Sequence, residues 1–292
     1  MPRKTRETFI LMRRFVIGDI HGCAKALRSL IEIIDPRPDD ELVFLGDYVD
    51  RGPDSRNCVD QLIALKERCR LVTLRGNHEI MLMGVAFGGL NSKAWLASGG
   101  LATVSSYGGS LKKIPPQHIA FFQSLRPYYE TDDCIFVHAN YDPDLPMSQQ
   151  REIDTYWTHL SKSMPGPHCS GKKVYVGHTP QPFGLVLNKE HLVCVDTYCF
   201  GNGYLTALDL DTGTSIQVDK HGHERRDPLA DLFEQMGRIR DRLGAFWAKL
   251  TSRKTKGSNA STSQEQNRKL PGSLDEPQQL SLIHISEPTR PY

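Results

Sequence analysis

The segment from residue 46 to residue 52, Gly-Asp-Tyr-Val-Asp-Arg-Gly, combines residue types that phosphate and metal chemistry require. It follows the apolar run 42–45, as expected for a buried strand that leads into a tight turn. Parallel-sheet proteins bind ligands beyond the carboxyl ends of their strands, so this turn is placed for chemistry. Asp47 could bridge two metal ions, and the guanidinium of Arg51 could hold a phosphate oxygen. An Asp-rich turn with a surface ion pair is the alternative for this segment alone.

Two further segments repeat the pattern of an apolar run that ends in a polar glycine turn. The runs are residues 15–17, 42–45 and 71–74, and the turns that follow them are residues 18–22, 46–52 and 75–79. Helix-like segments, residues 24–34 and 55–68, separate the three runs. This order is typical of a βαβαβ unit, which delivers its polar residues to one edge of the sheet. The sequence therefore predicts a shared metal site at that edge.

Five motifs, in this order and context, resemble those of a known family. Besides Gly-Asp-x-His-Gly, Gly-Asp-x-Val-Asp-Arg-Gly and Arg-Gly-Asn-His-Glu, strand-like runs lead to His138 and His178. The chain resembles the phosphoprotein-phosphatase branch of the calcineurin-like metallophosphoesterases, and within it the small bacterial and phage serine/threonine phosphatases. The resemblance covers residues 13–218. It implies an α/β fold, a two-sheet β-sandwich flanked by helices, with the metal site at the carboxyl ends of the strands.

The resemblance also implies two divalent metal ions and six ligands for them. The implied ligands are Asp19, His21, Asp47, Asn77, His138 and His178. Asp47 would be shared by both ions. Imidazole and oxygen ligands suit manganese, iron or zinc, and we expect manganese. Taken alone, His138 or His178 would more often be a structural histidine.

The other motif residues are implied to act on the phosphate group. His78 would protonate the leaving alcohol, and Asp50 would orient its imidazole ring. Arg51, Arg75 and Asn77 would hold the phosphoryl oxygens, where charge builds in the transition state. A hydroxide that bridges the metals would attack phosphorus directly, with no phospho-enzyme. Taken alone, Arg75 could merely cap the sheet.

The resemblance leaves several functions to distinguish. Serine/threonine protein phosphatase activity, on a phosphoprotein or a small phosphoester, is the main expectation. A bis(5'-nucleosyl)-tetraphosphatase, which hydrolyses diadenosine tetraphosphate, is an alternative, disfavoured because such hydrolases usually carry Asp where this chain has Glu79. A degenerate relative that only binds phosphorylated partners is a non-enzyme alternative. Related enzymes often have a phosphate-binding arginine shortly after a tryptophan, but none follows Trp157, which leaves substrate preference open.

Composition narrows the class of protein. The 292 residues carry a net charge of +2, from 36 basic and 34 acidic residues, so nucleic acid is not an expected partner. Hydrophobic residues make up 39% of the chain, as in globular proteins. The seven cysteines form no Cys-x-x-Cys pair, which favours reduced thiols in a cytoplasmic protein. No apolar segment reaches membrane-spanning length.

The pattern along the chain predicts a catalytic domain and several appendages. The predicted segments are a catalytic domain over 13–220 with a helical insert at 80–133, an amphipathic helix over 225–254, a disordered tail over 255–279, and an adapter-derived artefact over 280–292. The helical face at 227–250 could bind a partner or a membrane surface, but a helix that folds back on its own domain or forms a short coiled coil is the more common reading of this pattern. Strands are predicted at 174–176, 183–187, 192–195, 204–210 and 215–218, the last two joined by a hairpin turn. Translation could begin at Met1 or at Met12.

Overall fold

The computed structural model of the chain describes residues 12–225 together with Arg240, which is helical. By its internal contacts the chain divides into residues 1–227 and residues 228–292. Apart from Arg240, the predicted helix at 227–250 lies outside the described residues, as do the predicted tail at 255–279 and the stretch at 280–292. The architecture below is therefore that of the first unit.

One five-stranded sheet carries the first three motifs. Its strands are β1 (Arg14–Ile17), β2 (Glu41–Phe44), β3 (Arg70–Thr73), β9 (Tyr204–Asp209) and β10 (Ser215–Asp219). They lie in the order β10-β9-β1-β2-β3. The pairs β1–β2 and β2–β3 are parallel, so their carboxyl ends meet at one edge. The later strands β9 and β10 pair antiparallel, as the predicted hairpin requires.

A second five-stranded sheet carries the two later histidines. Its strands are β4 (Tyr128–Glu130), β5 (Cys134–Val137), β6 (Lys173–Val176), β7 (Leu187–Asn188) and β8 (Leu192–Cys194). They lie in the order β4-β5-β6-β8-β7, with β5, β6 and β8 parallel to one another. His138 follows β5 directly, and Gly177-His178 follows β6, so both histidines leave the sheet at the same edge.

Helices cover the sheets and supply residues to the site. They are α1 (Ala24–Ile34), α2 (Ser55–Leu65), α3 (Asn77–Ala86), α4 (Ser92–Trp95), α5 (Leu101–Ser106), α6 (Pro116–Gln123) and α7 (Glu152–Trp157). In α1 the apolar residues recur every three or four positions, and that face is buried. The side chain of Asp54 caps α2 by accepting a hydrogen bond from Asn57 N at 3.2 Å.

The core has three layers that follow from these faces. Between the sheets, side chains such as Val16, Val43, Phe136 and Val193 are buried against one another. A larger cluster packs the other face of the first sheet against its helices, and a third covers the outer face of the second sheet. The predicted two-sheet sandwich flanked by helices is therefore confirmed.

Local predictions were less accurate where the chain is irregular. The strand predicted at 183–187 is wrong, because only Leu187–Asn188 pairs as a strand. Phe183 is 85% exposed, and Gly184 has a φ of 66°. An apolar side chain in solvent beside a left-handed glycine belongs to a turn. None of the helices within the described residues has the length and hydrophobicity that a bilayer crossing requires.

Candidate dinuclear metal centre

The turns that follow the strands hold several motif residues in left-handed backbone conformation. His21, Asp47, Asp50, Arg51 and His178 have φ values of 46°, 52°, 71°, 68° and 59°. Non-glycine residues adopt this region rarely, at a cost of about 1–3 kcal/mol each. Such strain persists only where the surrounding contacts hold it in place, and it clusters at functional sites. The structure thus brings these five side chains to one edge of the sandwich by unusual turns.

Asp47 lies at the centre of two groups of potential metal ligands. One group is His21, Asp47 and His78, and the other is Asp47, His138 and His178. Within each group the ligand atoms lie within 4.8 Å of one another, and all five residues are buried. A short carboxylate shared by two histidine groups is the arrangement that a bridging ligand requires.

Hydrogen bonds to backbone carbonyls orient two of the histidines. His21 Nδ1 lies 2.9 Å from Val49 O, and His138 Nδ1 lies 2.8 Å from Leu45 O. A carbonyl oxygen can only accept, so Nδ1 carries the proton in both rings and Nε2 presents a lone pair. Second partners of this kind fix the tautomer of metal-binding histidines. The folded chain therefore presents Nε2 of both rings for coordination.

Lone pairs converge around His138. Its Nε2 lies 3.0 Å from Asn77 Oδ1 and 3.5 Å from Asp47 Oδ1. With Nδ1 protonated, none of these three atoms can donate a hydrogen bond to another. A cation between them would turn mutual repulsion into coordination, which is the fit expected of a metal site.

His178 and Asp19 meet on the second sheet's side of the site. His178 Nε2 is buried and has no hydrogen-bond partner among the described residues. Both carboxylate oxygens of Asp19 accept from His178 N, at 3.2 and 3.1 Å. Gly177 allows this approach, because a Cβ there would lie 2.2 Å from Asp19 Oδ1. An orphaned imidazole nitrogen beside a buried carboxylate is again what a metal ion would satisfy.

The electrostatics put the histidines and Asp47 in their metal-binding protonation states, whereas burial raises the pKa of Asp19. Burial lowers the pKa of His178 to about 3, and burial also lowers the pKa of His21 and of His138. Burial acts to raise the pKa of Asp47, but the surrounding histidines, His138 first, outweigh it and the pKa falls. Neutral imidazoles and an ionised carboxylate are the forms that bind metals. The donor set therefore fits divalent manganese, iron or zinc.

His78 and Asp50 form a close pair beside the metal ligands. His78 Nδ1 lies 2.6 Å from Asp50 Oδ2, and His78 Nε2 lies 4.0 Å from Asp47 Oδ2. Burial lowers the pKa of His78, but the carboxylates of Asp47 and Asp50 outweigh it, so the net shift is upward. A protonated imidazole held in one orientation can serve as a general acid.

Two residues of the helical segment fix Asp50, and sequence reasoning missed their role. Trp95 Nε1 donates to Asp50 Oδ2 at 2.7 Å, and Thr103 Oγ1 donates to Asp50 Oδ1 at 2.6 Å. The sequence analysis placed Trp95 only within the predicted helical insert at 80–133. Its side chain is buried, at 2% exposure, and a buried indole N–H needs an acceptor. This need for an acceptor is the feature of the sequence that could have indicated a polar contact for Trp95.

Glu79 binds two of the motif turns together. Its carboxylate accepts from Asp47 N at 2.9 Å, Tyr48 N at 2.8 Å and Gly76 N at 3.0 Å, with a longer contact from Val49 N at 3.3 Å. It is 1% exposed. Glu79 entered the sequence analysis only as a mark that distinguishes related enzymes. The structure shows that it also holds the backbone of the Asp47 turn.

The two arginines of the motifs lie in different places. Arg51 Nη1 lies 3.1 Å from His21 Nε2, and the Arg51 guanidinium carbon lies 4.5 Å from the centre of the Phe200 ring. Arg75 instead donates from Nη2 to Leu125 O at 3.2 Å. The structure therefore brings Arg51 to the metal ligands but directs Arg75 toward the end of α6.

His159 occupies the region that lacks the expected arginine. It lies two residues after Trp157, and its ring centre is 4.4 Å from that of His178. Burial lowers the pKa of His159, and the charge of Arg51 lowers it further. A neutral imidazole therefore lies at the edge of the site, where the sequence analysis found only the absence of a guanidinium.

Comparison with known proteins identifies the class to which this fold and site belong. Residues 12–201 match the family model described as calcineurin-like phosphoesterase. That match covers more than half of the chain. The chain belongs to the calcineurin-like phosphoesterase family, as the motifs predicted.

Individual relatives carry two different activities in their names. The chain is 29% identical over 203 residues to serine/threonine-protein phosphatase 1 of Salmonella typhimurium, a match that covers 66% of this chain and 89% of that protein. It is 42% identical over 78 residues to a symmetrical bis(5'-nucleosyl)-tetraphosphatase of Janthinobacterium sp., covering 26% of this chain and 28% of that protein.

A solved structure provisionally described as a diadenosine tetraphosphatase shares the fold. It aligns with a TM-score of 0.55 at 23% identity, over 72% of this chain and 94% of that one. A likeness at this identity concerns the fold, since one fold serves many activities.

Proposed function

We propose that the chain is a dinuclear metal-dependent phosphomonoesterase that removes phosphate from phosphoserine and phosphothreonine in proteins. The observation that carries the proposal is the pair of buried groups that share Asp47, one with His21 and His78 and the other with His138 and His178, together with the bond between His78 and Asp50. Asp19, His21 and Asp47 would hold one ion, and Asn77, His138 and His178, again with Asp47, would hold the other. Two divalent ions there would activate a water molecule and neutralise the phosphoryl charge.

The chain's own residues supply the remaining steps. Arg51, which lies against His21, would hold phosphoryl oxygens in its planar fork of donors. The oxygen of a water molecule bonds to phosphorus as the phosphorus–oxygen bond to the alcohol breaks; one water proton stays on the phosphate product and the other is released. His78 gives its Nε2 proton to the departing oxygen and regains one from water afterwards, while its Nδ1 proton stays on the ring and donates to Asp50, which stabilises the charged form of the ring. Arg75 donates from Nη2 to Leu125 O, so a contact with phosphate would use its other N–H groups.

Two observations support protein phosphoesters as the substrate class. The relative named as a serine/threonine-protein phosphatase is matched over 89% of its length, whereas the tetraphosphatase of Janthinobacterium is matched over 28%. Glu79 also differs from the Asp that is usual in tetraphosphatases.

A cavity beside Arg51 favours the second candidate, a bis(5'-nucleosyl)-tetraphosphatase. The cavity has a volume of about 650 Å³ and is lined partly by Lys25, Arg28, Arg51, Lys220 and His221. The single acidic residue in its lining, Asp54, caps α2. A basic cavity of this kind could hold the further phosphates of a polyphosphate substrate.

The test is phosphate release by manganese-loaded protein from a phosphothreonine peptide and from diadenosine tetraphosphate in parallel. We expect release from the peptide, reduced about 100-fold or more in His78→Asn because the general acid is lost. His118→Asn is the matched control, since His118 also pairs with a carboxylate, Asp60, at 2.8 Å but lies outside the metal groups.

The outcomes separate the candidates. Activity confined to the dinucleotide would establish the tetraphosphatase. No activity on either compound, with no stoichiometric metal in the purified protein, would favour a relative that only binds phosphorylated partners. No activity with two metals bound would retain the metal centre and reject both substrate classes.

A further inference from the structure

Asp196 lies at the same edge of the sandwich as the motif residues, two residues after β8. Val195 N donates to Val176 O at 2.9 Å, which joins the end of β8 to the end of β6 just before His178. The first sheet approaches from the other side, since a Cβ on Gly18 would lie 2.3 Å from Val195 O and 3.2 Å from Asp196 N. Asp196 therefore lies between the segments that carry Asp19 and His178.

The carboxylate of Asp196 is buried but only half satisfied. Its side chain is 1% exposed. Oδ1 accepts a hydrogen bond from Tyr198 N at 3.0 Å, whereas Oδ2 has no hydrogen-bond partner among the described residues. By contrast, both oxygens of Asp50 and of Glu79 accept hydrogen bonds. Leaving a buried charged oxygen without a partner costs free energy, so such an oxygen normally has a hydrogen-bond donor or a cation beside it.

The charges around Asp196 indicate what kind of partner its carboxylate would bind. Asp196 interacts unfavourably with the carboxylates of Asp19 and Asp47, and Arg51 is the cation that offsets this for Asp196 and Asp19 alike. If all three were ionised, three buried carboxylates beside one guanidinium would leave an excess of negative charge in a low-dielectric site. Divalent cations would balance it.

We propose that Asp196 is a further acidic residue of the metal centre, which strengthens binding of the divalent ion on the Asp19–His21 side. Asp196, like Asp19, is outside both groups of closely spaced ligand atoms, and the role proposed for it is that of a nearby charge rather than a direct ligand. Such outer partners typically change metal affinity by about 10- to 100-fold. The inference rests on the proposed metal centre.

A purely structural role for Asp196 makes a different prediction. Oδ1 closes a turn onto Tyr198 N, and Tyr198 has a φ of 67°. Asp196→Asn keeps an Oδ1 acceptor for this turn and removes only the charge. Asp209→Asn is the matched control, because Asp209 Oδ1 accepts from Asp211 N at 2.9 Å in a similar but exposed turn.

The experiment is titration of the chelator-stripped full chain with manganese chloride by calorimetry, together with urea unfolding in chelator. For Asp196→Asn we expect one of two manganese sites to weaken at least about tenfold, with Asp209→Asn unchanged. Without metal, Asp196→Asn should be at least as stable as the wild type, because a repulsion has been removed. Asp196→Ser, which can keep the turn through its hydroxyl, serves as a second uncharged variant.

The possible results distinguish a failure of the role proposed for Asp196 from a failure of the proposed metal centre. Wild-type protein that binds no manganese overturns the metal centre itself. Two wild-type sites with unchanged affinity in both Asp196 variants overturn the role of Asp196 alone. Loss of stability in chelator, with manganese affinity retained, assigns Asp196 to the turn instead.

Discussion

At the scale of single residues, the proposed chemistry depends on one hydrogen bond, between His78 Nδ1 and Asp50 Oδ2. Asp50→Asn should lower the rate of phosphate release about 100-fold, because the charged imidazole loses its counter-ion. Asp50 also helps to raise the pKa of His78. The acid form is active below that pKa and lost above it, so the alkaline limb of the pH–rate profile should move to lower pH in the variant.

The control for Asp50 is Asp60→Asn, which removes the charge from the similar pair with His118. Its pH–rate profile should match that of the wild type. An Asp50→Asn enzyme with reduced rate but an unmoved alkaline limb would contradict the assignment of His78 as the acid. The melting temperatures of both variants would show whether a lower rate of phosphate release results from unfolding of the protein.

The sequence indicated which residues form the candidate site, but it did not indicate which residues hold them in place through hydrogen bonds. Motif order pointed to Asp19, His21, Asp47 and the later candidate ligands, because each follows an apolar run. Asp196 gave the same signal, a polar residue after the apolar run 192–195, yet no motif drew attention to it. Arg75 shows the opposite case, since a motif position does not determine where a long side chain points.

At the scale of elements, the first turn of α3 organises the Asp47 turn through Glu79. Glu79→Gln should destabilise the protein by about 1–3 kcal/mol, because an amide nitrogen would face backbone N–H groups that need an acceptor. Urea unfolding of the metal-free protein measures this. Glu32→Gln, on the exposed side of α1, should change stability by less than about 0.5 kcal/mol. Equal stabilities for the two variants would show that the Glu79 bonds contribute little.

Periodicity predicted the elements well where they are regular. The helix predicted at 24–34 and the strands around 134–137 and 174–176 all form. The prediction of a strand at 183–187 was wrong because apolar residue types alone do not show whether a neighbouring strand lies within hydrogen-bonding distance. The left-handed turns of His21 and Asp47 could not be predicted either, since non-glycine residues seldom adopt them.

At the scale of the whole molecule, metal binding should stabilise the fold. A ligand at 100 times its dissociation constant adds about 2.7 kcal/mol, which is about 5–10 °C in melting temperature for a domain of about 200 residues. Manganese added to chelator-stripped protein should give a rise of this size. His138→Asn should reduce the rise, because one ligand group is broken.

His191→Asn is the matched control for this measurement, as His191 bonds to Pro165 O and lies outside the ligand groups. It should keep the full response to manganese. An identical rise in His138→Asn would mean that the ion binds elsewhere.

The position of Asp47 between histidines of two different sheets has a mechanical consequence. Asp47 and Asn77 follow strands of the first sheet, whereas His138 and His178 follow strands of the second. An ion held by all four would be a crosslink between the two halves of the sandwich, of the kind that disulfides provide in secreted proteins. All seven cysteines of this chain are free. Its crosslink would be an ion that can be removed. A chelator would therefore weaken the attachment between the two sheets at the same time as it abolished the proposed activity.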